Sequence, residues 1–473
     1  MTAEYDLIIN GGAVLVESDE HPRLASLAIR AGQIIAISTD PFPVENAITA
    51  IDGHGRWVLP GAIDSHVHFG IYRGLGEDVE SETRAAAAGG TTSIISYFRT
   101  GSHYLDRSGP YREIFPEVLA AAAGRAHVDY SFHIVPMTNE HLTELSWLVE
   151  QGIASFKFFL SYIGQPIDST SENYDLGFLY ELMEGIAALD AARPTDRISL
   201  SLHCEDSDLL RHFAAVEEQR QSTTGIAQHA AKRPAAGEAV AIFRAAYLAQ
   251  HLRVPINILH LSSAEAMRAL TAVRSLWPDA DIRGETTPHY LTLDSDAAGA
   301  DLTSKVNPPI RGGFDQNALW DAVHNREIDW LATDHCCSSA AQKGPDLDQA
   351  VPGFGSGGLL YPTALTGALA RGLPLGRVVE LVSRAPAQAY GLYPEKGRIG
   401  VGADADIVII DPAKERTVTA GDLHSHQDYS PFSGLRLLGW PDLTFQRGQI
   451  IGQDGAPVGD PHGAYLNRVG HTP

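Results

Sequence analysis

Short apolar runs alternate with helix-like stretches along most of the chain. The runs have the length of strands, are bounded by turn-forming residues, and cover residues 57–69, 91–98, 129–136, 154–162, 198–205, 254–263, 281–293 and 328–335. Between them lie alanine- and glutamate-rich stretches such as EDVESETRAAAAGG and EIFPEVLAAAAG, whose spacing and composition predict helices. Eight strands, each followed by room for a helix, predict an α/β fold of the (β/α)8 TIM-barrel type. An open doubly wound sheet is the alternative on pattern alone.

The two ends of the chain have a different pattern. Residues 1–56 contain two hairpin-like units, YDLIINGGAVLVE and LASLAIRAGQIIAIS, and a β pattern returns at 403–411 and 443–451. We therefore predict a small β-sandwich domain built from both chain ends, with 1–56 and 395–473 flanking a barrel at 57–394. The tail from about residue 452 is rich in Gly, Pro and Asp, which predicts a loose segment or one packed on a neighbouring subunit.

Composition narrows the class of protein. The 473 residues are 44% apolar and 20% charged, which is typical of a soluble globular protein with a large core. The formal net charge of −23 argues against nucleic acid or a membrane surface as a partner. Three cysteines, Cys204, Cys336 and Cys337, make no disulfide framework and fit a reducing compartment. The first residues show no leader pattern and no run of 18 apolar residues occurs, so we expect a cytoplasmic protein.

One charged residue interrupts an apolar strand. Residues 152–162 read GIASFKFFLSY, and Lys157 stands among Phe156, Phe158 and Phe159. A lysine is almost never fully buried unless it is paired. Lys157 therefore needs a chemical explanation.

Other candidate ligands fall where the predicted strands end. His66 and His68 lie on one face of the first strand because residues i and i+2 of a strand point the same way. Barrel active sites lie at the C-terminal ends of strands, where the sequence also has Lys157, His203, His260 and Asp334. Imidazole and carboxylate are the usual ligands of zinc and its neighbours. The pattern therefore predicts a metal site at this mouth.

Several neighbours are predicted to have other roles. Cys204 follows His203 on a strand, so its side chain should point away from the His203 face. Direct ligation by cysteine is the less favoured alternative. His289 is interpreted as a packing or supporting group near the seventh strand. The remaining histidines without such an arrangement are interpreted as structural; these are His103, His127, His133, His141, His212, His229 and His251.

These residues, in this order and spacing, resemble the cyclic amidohydrolases. The matching stretches are HVH, FKFF, LHCE, ILHLSS and ATDH, together with the YDLIINGG opening and KGRIGVGADADIVIID near the end. The branch contains dihydropyrimidinase, hydantoinase, allantoinase and dihydroorotase, and the resemblance extends over nearly the whole chain. It implies that Lys157 is carbamylated to N6-carboxylysine and bridges two divalent metal ions. His66, His68, Lys157 and Asp334 would hold one ion, and Lys157, His203 and His260 the other.

The resemblance also implies a mechanism. A bridging hydroxide attacks a ring carbonyl, and Asp334 passes the proton to the leaving nitrogen. Tyr162 matches the tyrosine that stabilises the oxyanion, although a tyrosine that merely caps a strand is the alternative. Asn307, which opens NPPIR, matches the loop that binds the substrate ring through its backbone. Zinc is the expected metal, with manganese, cobalt or nickel also compatible, and relatives are commonly tetramers or dimers.

Substrate signals are mixed. The position two residues after His68, where dihydroorotases usually carry arginine, is Gly70, and the second strand ends in SYFRT with Arg99 at an unusual place. GEDVESETRAAAAGGTTSIISYF resembles hydantoinase and dihydropyrimidinase, whereas PGFGSGG is closer to allantoinase. We therefore expect hydantoinase-like opening of a cyclic ureide or imide, with an allantoinase- or dihydroorotase-like enzyme as the alternative. A non-catalytic assembly protein of the same fold is a further alternative, which the presence of all six ligand positions disfavours.

Overall fold

A computed structural model describes residues 3–164, 174–220, 223–299 and 301–470. Its centre is a sheet of eight parallel strands in sequential order: Ala62–Val67, Thr91–Phe98, Asp129–Ile134, Ser155–Phe159, Ser199–His203, Ile256–Ile258, Ile282–Thr286 and Trp330–Leu331. The first and eighth strands meet where Val67 pairs with His335, and the His68 amide donates to the His335 carbonyl at 2.7 Å. The predicted (β/α)8 barrel is confirmed.

Helices follow the strands and cover the outside of the barrel. Their bounds are Leu75–Ala88, Tyr111–Ala122, Asn139–Thr143, Leu145–Glu150, Leu176–Ala192, Ser207–Arg220, Gly225–Lys232, Ala235–Leu252, Ala264–Leu276, Pro288–Thr292, Ser295–Ala298, Gly313–His324, Leu360–Leu369, Leu375–Val379 and Ala385–Ala389. Among the residues described, none of these helices is long and apolar enough to cross a membrane. The two stretches singled out in the sequence lie in the helices Leu75–Ala88 and Tyr111–Ala122.

Two of the predicted strand runs are divided between two elements of the structure. Residues 57–69 form two strands, because Trp57–Pro60 pairs with Ile407–Ile410 in another sheet and the first barrel strand begins at Ala62. The sheet from the chain ends thus includes residues beyond 56, where we had drawn the domain boundary. Residues 281–293 are also divided, since Pro288–Thr292 is helical: proline is well placed in the first turn of a helix.

The chain ends form a nine-stranded sheet with an apolar core of its own. Its strands are Tyr5–Val14, Arg23–Arg30, Gln33–Ser38, Ala47–Asp52, Trp57–Pro60, Ile407–Ile410, Pro441–Gln446, Gln449–Gln453 and Ala456–Pro457. The predicted hairpin at 24–38 is confirmed, and the β pattern predicted at 443–451 forms two paired antiparallel strands. The predicted hairpin at 5–17 is wrong, because Tyr5–Val14 is one strand with a register shift between Ile9 and Gly12. A two-stranded sheet, Glu415–Thr417 with Arg436–Leu438, lies apart.

The two domains are joined by a buried ionic cluster at the N-terminal end of the barrel. Lys396 Nζ lies 2.8 Å from Asp129, 3.0 Å from Asp404 and 2.7 Å from Asp406. Arg447 also pairs with Asp129. Burial alone lowers the pKa of a lysine, but these carboxylates outweigh it and raise the pKa of Lys396. Asp129 begins the third barrel strand, so the cluster fixes the β domain against the barrel.

The C-terminal tail packs on the barrel of its own chain. Gly463 is so close to the barrel that a Cβ there would lie 1.9 Å from the Val128 carbonyl oxygen. Arg468 enters the barrel interior, where its guanidinium donates to Ser131 Oγ at 2.9 Å, Ser155 Oγ at 2.7 Å and the Phe132 carbonyl at 2.5 Å. The expectation of a loose tail is therefore wrong for the described part, which ends at residue 470.

Candidate metal centre

The predicted ligands meet at the C-terminal mouth of the barrel. A cavity of about 330 Å³ is lined by His68, Lys157, His203, His260 and Asp334. His66 lies directly beneath this lining, with its ring 5.2 Å from that of His68 and 5.5 Å from that of His260. Five of these six residues are buried in the protein, and His68 is partly buried. The barrel rule therefore placed them in one site although they are up to 268 positions apart in the chain, from His66 to Asp334.

Three of these side chains form a compact ligand group. The ligand atoms of His66, His68 and Asp334 all lie within 4.8 Å of one another. Asp334 Oδ1 is 3.0 Å from His66 Nε2 and 3.2 Å from His68 Nε2. Burial alone raises the pKa of a carboxyl, yet the two histidines hold the pKa of Asp334 well below its usual range. The carboxylate is thus ionised and directed at both imidazoles.

A carboxylate from the seventh strand orients His66. Glu285 Oε1 accepts from His66 Nδ1 at 2.7 Å, and its other oxygen accepts from the Trp330 indole at 2.8 Å. Nδ1 is thereby occupied, which leaves Nε2 of His66 directed at Asp334. Burial opposes protonation of this imidazole, but Asp334 and Glu285 outweigh it and raise the pKa of His66 to about 9. A carboxylate behind a histidine is the usual support of a metal ligand.

Lys157 lies inside the barrel without a hydrogen bond from any described residue to its Nζ. Its nearest aromatic groups are Tyr97 and Phe159, whose ring centroids are 4.6 and 4.8 Å from Nζ. Of the phenylalanines that flank Lys157 in the sequence, Phe156 and Phe158 belong to the apolar core on the opposite face of the strand. Burial lowers the pKa of Lys157 to about 7.

His203 and His260 form the other side of the mouth. Their ring centroids are 4.5 Å apart, and burial lowers the pKa of both imidazoles. His203 Nε2 donates to Glu205 at 2.8 Å. The other ring nitrogen of His203, Nδ1, is therefore the one left for a ligand. Glu205 is in turn paired with Arg233, so His203 also has an anchored carboxylate behind it.

The donor set fits divalent metal ions. Within the described part of the chain, Lys157 Nζ, His68 Nδ1 and His260 Nδ1 are buried polar atoms without a hydrogen-bond partner. Such atoms cost free energy unless a ligand satisfies them. Burial lowers the pKa of His68, His203 and His260, and neutral imidazoles of this kind near an ionised carboxylate are the donors that zinc and its neighbours prefer. The residues present are therefore suited to hold metal.

The predicted substrate residues lie at the rim of the same cavity. Tyr162 lines it from the turn Leu160–Tyr162, which follows the Lys157 strand, and is 39% exposed. Asn307 lines it from the loop beyond the seventh strand. His229 Nε2 lies 3.0 Å from both the Asn307 side-chain oxygen and the Val306 carbonyl. His229, interpreted from sequence as structural, thus supports Asn307.

The remaining candidates divide between core and cavity. Cys204 packs in the apolar core, as its position beside His203 predicted, and Cys337 is also buried. Cys336 and His103 line the cavity, which the sequence did not indicate. His289 is buried against Tyr290 and Phe354, with ring centroids 4.2 and 5.3 Å away, which fits a packing role.

The residues that sequence reasoning missed are those behind the ligands. Glu285 and Glu205 support His66 and His203, and Tyr97 lies under Lys157. The sequence signals that could have indicated the two glutamates were the position of Glu285 within the seventh strand and that of Glu205 at the end of LHCE. Neither identifies its partner, because these contacts depend on side-chain positions across the barrel.

Comparisons with known proteins agree with this geometry. The sequence model of the amidohydrolase family matches residues 202–451. A D-hydantoinase from Streptomyces coelicolor is 32% identical over 98% of each chain, and an allantoinase from Rubrobacter xylanophilus is 33% identical over 98% of this chain and 97% of its own. A crystal structure of a D-hydantoinase superposes with a TM-score of 0.87 at 30% identity, covering 98% of both chains.

A metal-dependent hydrolase barrel is the class that the fold and the site define. The chain belongs to the amidohydrolase family. The relatives found are hydrolases of cyclic amides, which is the branch indicated by the motifs in the sequence.

Proposed function

We propose that this protein opens the ring of a cyclic ureide or imide by hydrolysing a ring amide bond, as a hydantoinase or dihydropyrimidinase does. The observation that carries the proposal is the meeting of His68, Lys157, His203, His260 and Asp334 in one cavity. Relatives named D-hydantoinase match over nearly the full length of both chains. We therefore assign the proposed reaction to the barrel mouth.

The proposed cofactor is a pair of divalent ions, with zinc as the default and manganese, cobalt or nickel compatible. His66, His68, Lys157 and Asp334 would hold one ion, and Lys157, His203 and His260 the other. When bound, such ions polarise a carbonyl oxygen and lower the pKa of water towards neutrality. The support for this assignment is the set of buried, unsatisfied donor atoms in the described part of the barrel.

Lys157 is proposed to act as N6-carboxylysine. Its pKa of about 7 provides a neutral amine near neutral pH, and a neutral amine attacks carbon dioxide. The new N–C bond gives a carbamate, and one proton leaves to solvent. The product is an anion with two oxygens, so it can contact two cations at once. Carbamylation thus replaces an unsatisfied buried amine with a ligand.

The remaining roles follow from position. Asp334 is ionised beside the imidazoles and is proposed to accept a proton and deliver it to the leaving ring nitrogen. Tyr162, at the rim, is proposed to donate a hydrogen bond to the oxygen that becomes negative. Asn307, held by His229, is proposed to position the ring.

Metal analysis and a substrate panel test the proposal together. The protein, purified without chelator, is expected to hold two equivalents of divalent metal and to hydrolyse at least one of hydantoin, dihydrouracil, allantoin, dihydroorotate and a cyclic imide. Loss of the ring-amide absorbance reports the reaction. Fewer than one equivalent of metal, or no turnover of any compound by metal-loaded protein, would contradict the proposal.

A conservative substitution tests Tyr162 separately. Tyr162→Phe removes only the hydroxyl and should lower kcat by about 10²–10³-fold if that group stabilises the oxyanion. Metal content is the control and should not change, because Tyr162 is not among the proposed ligands. An unchanged kcat would restrict Tyr162 to capping the strand.

An allantoinase is the second candidate. The supporting observations are the PGFGSGG run after the eighth strand and the 33% identity to an allantoinase. In the substrate panel, allantoin would then be the preferred compound.

Assembly as a homo-oligomer, a tetramer or dimer, and a cytoplasmic location remain proposals. The helix Ala235–Leu252 exposes Val240, Phe243 and Tyr247 at helical spacing, which supports a contact between subunits. Light scattering on the purified protein would measure the mass, and a monomer of 50.9 kDa would contradict the proposal.

A further inference from the structure

Asp334, whose carboxylate contacts both His66 and His68, has an unusual backbone conformation. Its φ angle is 52°, in the left-handed region that residues other than glycine rarely occupy. Aspartate tolerates this conformation better than most residues, but it still costs free energy. The direction of the carboxylate therefore depends on contacts that hold the chain on both sides of Asp334.

The two neighbours of Asp334 are tied to the first barrel strand. On the N-terminal side, Asp64 accepts from the Thr333 amide at 3.0 Å and from the Thr333 hydroxyl at 2.6 Å, and Asp64 lies within that strand. On the C-terminal side, the His335 carbonyl accepts from the His68 amide at 2.7 Å. These contacts fix the ends of the segment, and the side chain of His335 adds a further one.

The ring of His335 is buried and has partners at both nitrogens. Nδ1 accepts from the amides of Ser356 at 3.0 Å and Gly357 at 2.9 Å. An imidazole nitrogen that accepts a hydrogen bond carries no proton, so the ring proton belongs to Nε2. Nε2 lies 3.1 Å from a carboxylate oxygen of Glu82, in the helix Leu75–Ala88. The ring thus bridges that helix and the loop after the eighth strand.

The glycine-rich run PGFGSGG, residues 352–358, encloses this ring. A Cβ at Gly355 would lie 3.1 Å from His335 Cε1, and one at Gly357 would lie 3.2 Å from His335 Nδ1. Both distances are shorter than an ordinary van der Waals contact. Glycine therefore lets the backbone come close enough for its amides to reach Nδ1.

Glu82, on the other side of the ring, is anchored as well. Its carboxylate accepts from the Ser425 hydroxyl at 2.5 Å and from the His426 amide at 3.0 Å. Because the partners on both sides are fixed by other parts of the chain, the His335 ring cannot turn without losing hydrogen bonds in a buried place. An unsatisfied buried polar group is costly, so the ring is held firmly.

We infer that His335 is a positioning residue that holds Asp334 in its left-handed conformation and so directs the carboxylate at the metal ligands. This rests on the proposed function, in which Asp334 binds metal and transfers a proton. Among the described residues that line the cavity His335 does not occur, so it acts through Asp334 and not on the substrate. Loss of a group behind a metal ligand lowers metal affinity by about 10–100-fold, and a displacement of about 1 Å at a reacting group costs about 100-fold in rate.

Two substitutions separate the contacts of the two ring nitrogens. In His335→Asn the side-chain oxygen lies near the position of Nδ1 and can still accept from the two amides. In His335→Gln the side chain is long enough to reach Glu82, but the amides lose their acceptor. In metal-loaded protein, His335→Asn should keep kcat within about fivefold, whereas His335→Gln should lower it by about 100-fold with KM within about twofold.

Metal binding provides a measurement that does not depend on turnover. Competition with a chelator should show an affinity lowered by about 10–100-fold in His335→Gln and nearly unchanged in His335→Asn. In cobalt-loaded protein, the visible absorption bands report the ligand geometry, and they should shift in His335→Gln only.

His141→Gln is the matched control. His141 is also buried, its Nδ1 accepts from the Met137 amide at 3.0 Å and its Nε2 donates to the Gly109 carbonyl at 3.0 Å. This variant should unfold at a lower temperature but keep the wild-type kcat, metal affinity and cobalt spectrum. Thermal unfolding of each variant checks that it is folded. If His335→Gln is not, His335→Leu takes its place, because leucine fills a similar volume and also lacks the acceptor.

The possible failures can be told apart. If His335→Gln keeps the wild-type kcat and metal affinity, or if His335→Asn loses as much as His335→Gln, the inference is overturned while the proposed function stands. Equal losses in His141→Gln would also overturn it, since they would show a general effect of damaged packing. If the metal-loaded wild-type protein hydrolyses no compound of the panel, the proposed function fails, and the metal affinities and cobalt spectra still decide whether His335 positions Asp334.

Discussion

Two buried lysines have opposite surroundings in this protein. Lys157 is fully buried at the barrel mouth, and no described residue forms a hydrogen bond with its Nζ. Lys396 is 4% exposed at the N-terminal end of the barrel, where three carboxylates lie within 3.0 Å of its Nζ. Burial lowers the pKa of Lys157 to about 7, whereas the carboxylates raise the pKa of Lys396 despite its burial.

The difference separates a reactive lysine from a structural one. An ammonium group taken from water is tolerated when carboxylates compensate it, as they do at Lys396. Without that compensation the neutral amine is favoured, and a neutral amine is a nucleophile. Sequence context alone does not distinguish the two: Asp404 and Asp406 follow Lys396 closely in the chain, but nothing in the sequence shows that their carboxylates and that of the distant Asp129 meet at its Nζ.

Replacing Lys157 should have the largest effect. Lys157→Met removes the proposed ligand of both ions, so kcat/KM should fall by about 10⁴-fold or more, as when other essential catalytic groups are removed. The metal content should drop below two equivalents. The metal-free variant should unfold at the same or a higher denaturant concentration than the metal-free wild type, because it no longer buries an amine. Full activity with two bound ions would refute the role of the lysine.

The same substitution at Lys396 should act on stability instead. Lys396→Met leaves Asp129, Asp404 and Asp406 without their shared cation and should lower the free energy of unfolding by about 3–5 kcal/mol. Urea unfolding measures this change. The activity of the folded fraction should stay within about twofold of the wild-type value.

Lys414 provides a matched control for the stability effect. Its Nζ bridges Asp442 and Asp454, but its side chain is 28% exposed. Lys414→Met should cost only about 0–1 kcal/mol, because solvent screens such pairs. Equal losses for Lys396→Met and Lys414→Met would show that burial does not set the strength of the cluster.

Glu285→Gln should have a smaller effect, and it acts on metal affinity. It tests whether the residues that support the metal ligands are independent of the Lys396 cluster. It removes the charge behind His66 while nearly keeping the shape of the side chain, so metal affinity should fall by about 10–100-fold. Competition with a chelator measures the affinity. Asp404→Asn changes the Lys396 cluster in the same way and should leave metal affinity unaltered. A loss in Asp404→Asn would mean that the two regions are coupled.

The smallest expected effect is on the pH dependence of reconstitution. Lys157 has a lowered pKa of about 7 in the folded protein, so its reactive neutral form is lost as pH falls through 7 and dominates above it. At a fixed concentration of dissolved carbon dioxide, reactivation of the metal-free protein should therefore accelerate by about tenfold from pH 6 to pH 8. A rate that is flat or falls over this range would contradict carbamylation of a neutral amine.

The sequence predicted most of the site and only part of what surrounds it. Strand-end positions placed His203, His260 and Asp334 at one mouth because parallel strands in a barrel all end on the same side. The sequence did not reveal Tyr97 under Lys157 or Glu285 behind His66, since the local pattern of a strand does not specify which side chains meet across the interior. It also misjudged residues 5–17, where two glycines bend a strand instead of reversing it.

The tail has a consequence for how the protein is made. Arg468 reaches the interior of a barrel whose eight strands all precede it in the chain, and the β domain also takes strands from after the barrel. During synthesis the N-terminal parts of a chain are available to fold first. A nascent chain therefore cannot satisfy Ser131 and Ser155 until residue 468 has been synthesised, so a ribosome that stalls between the barrel and this residue would display an unfinished barrel interior.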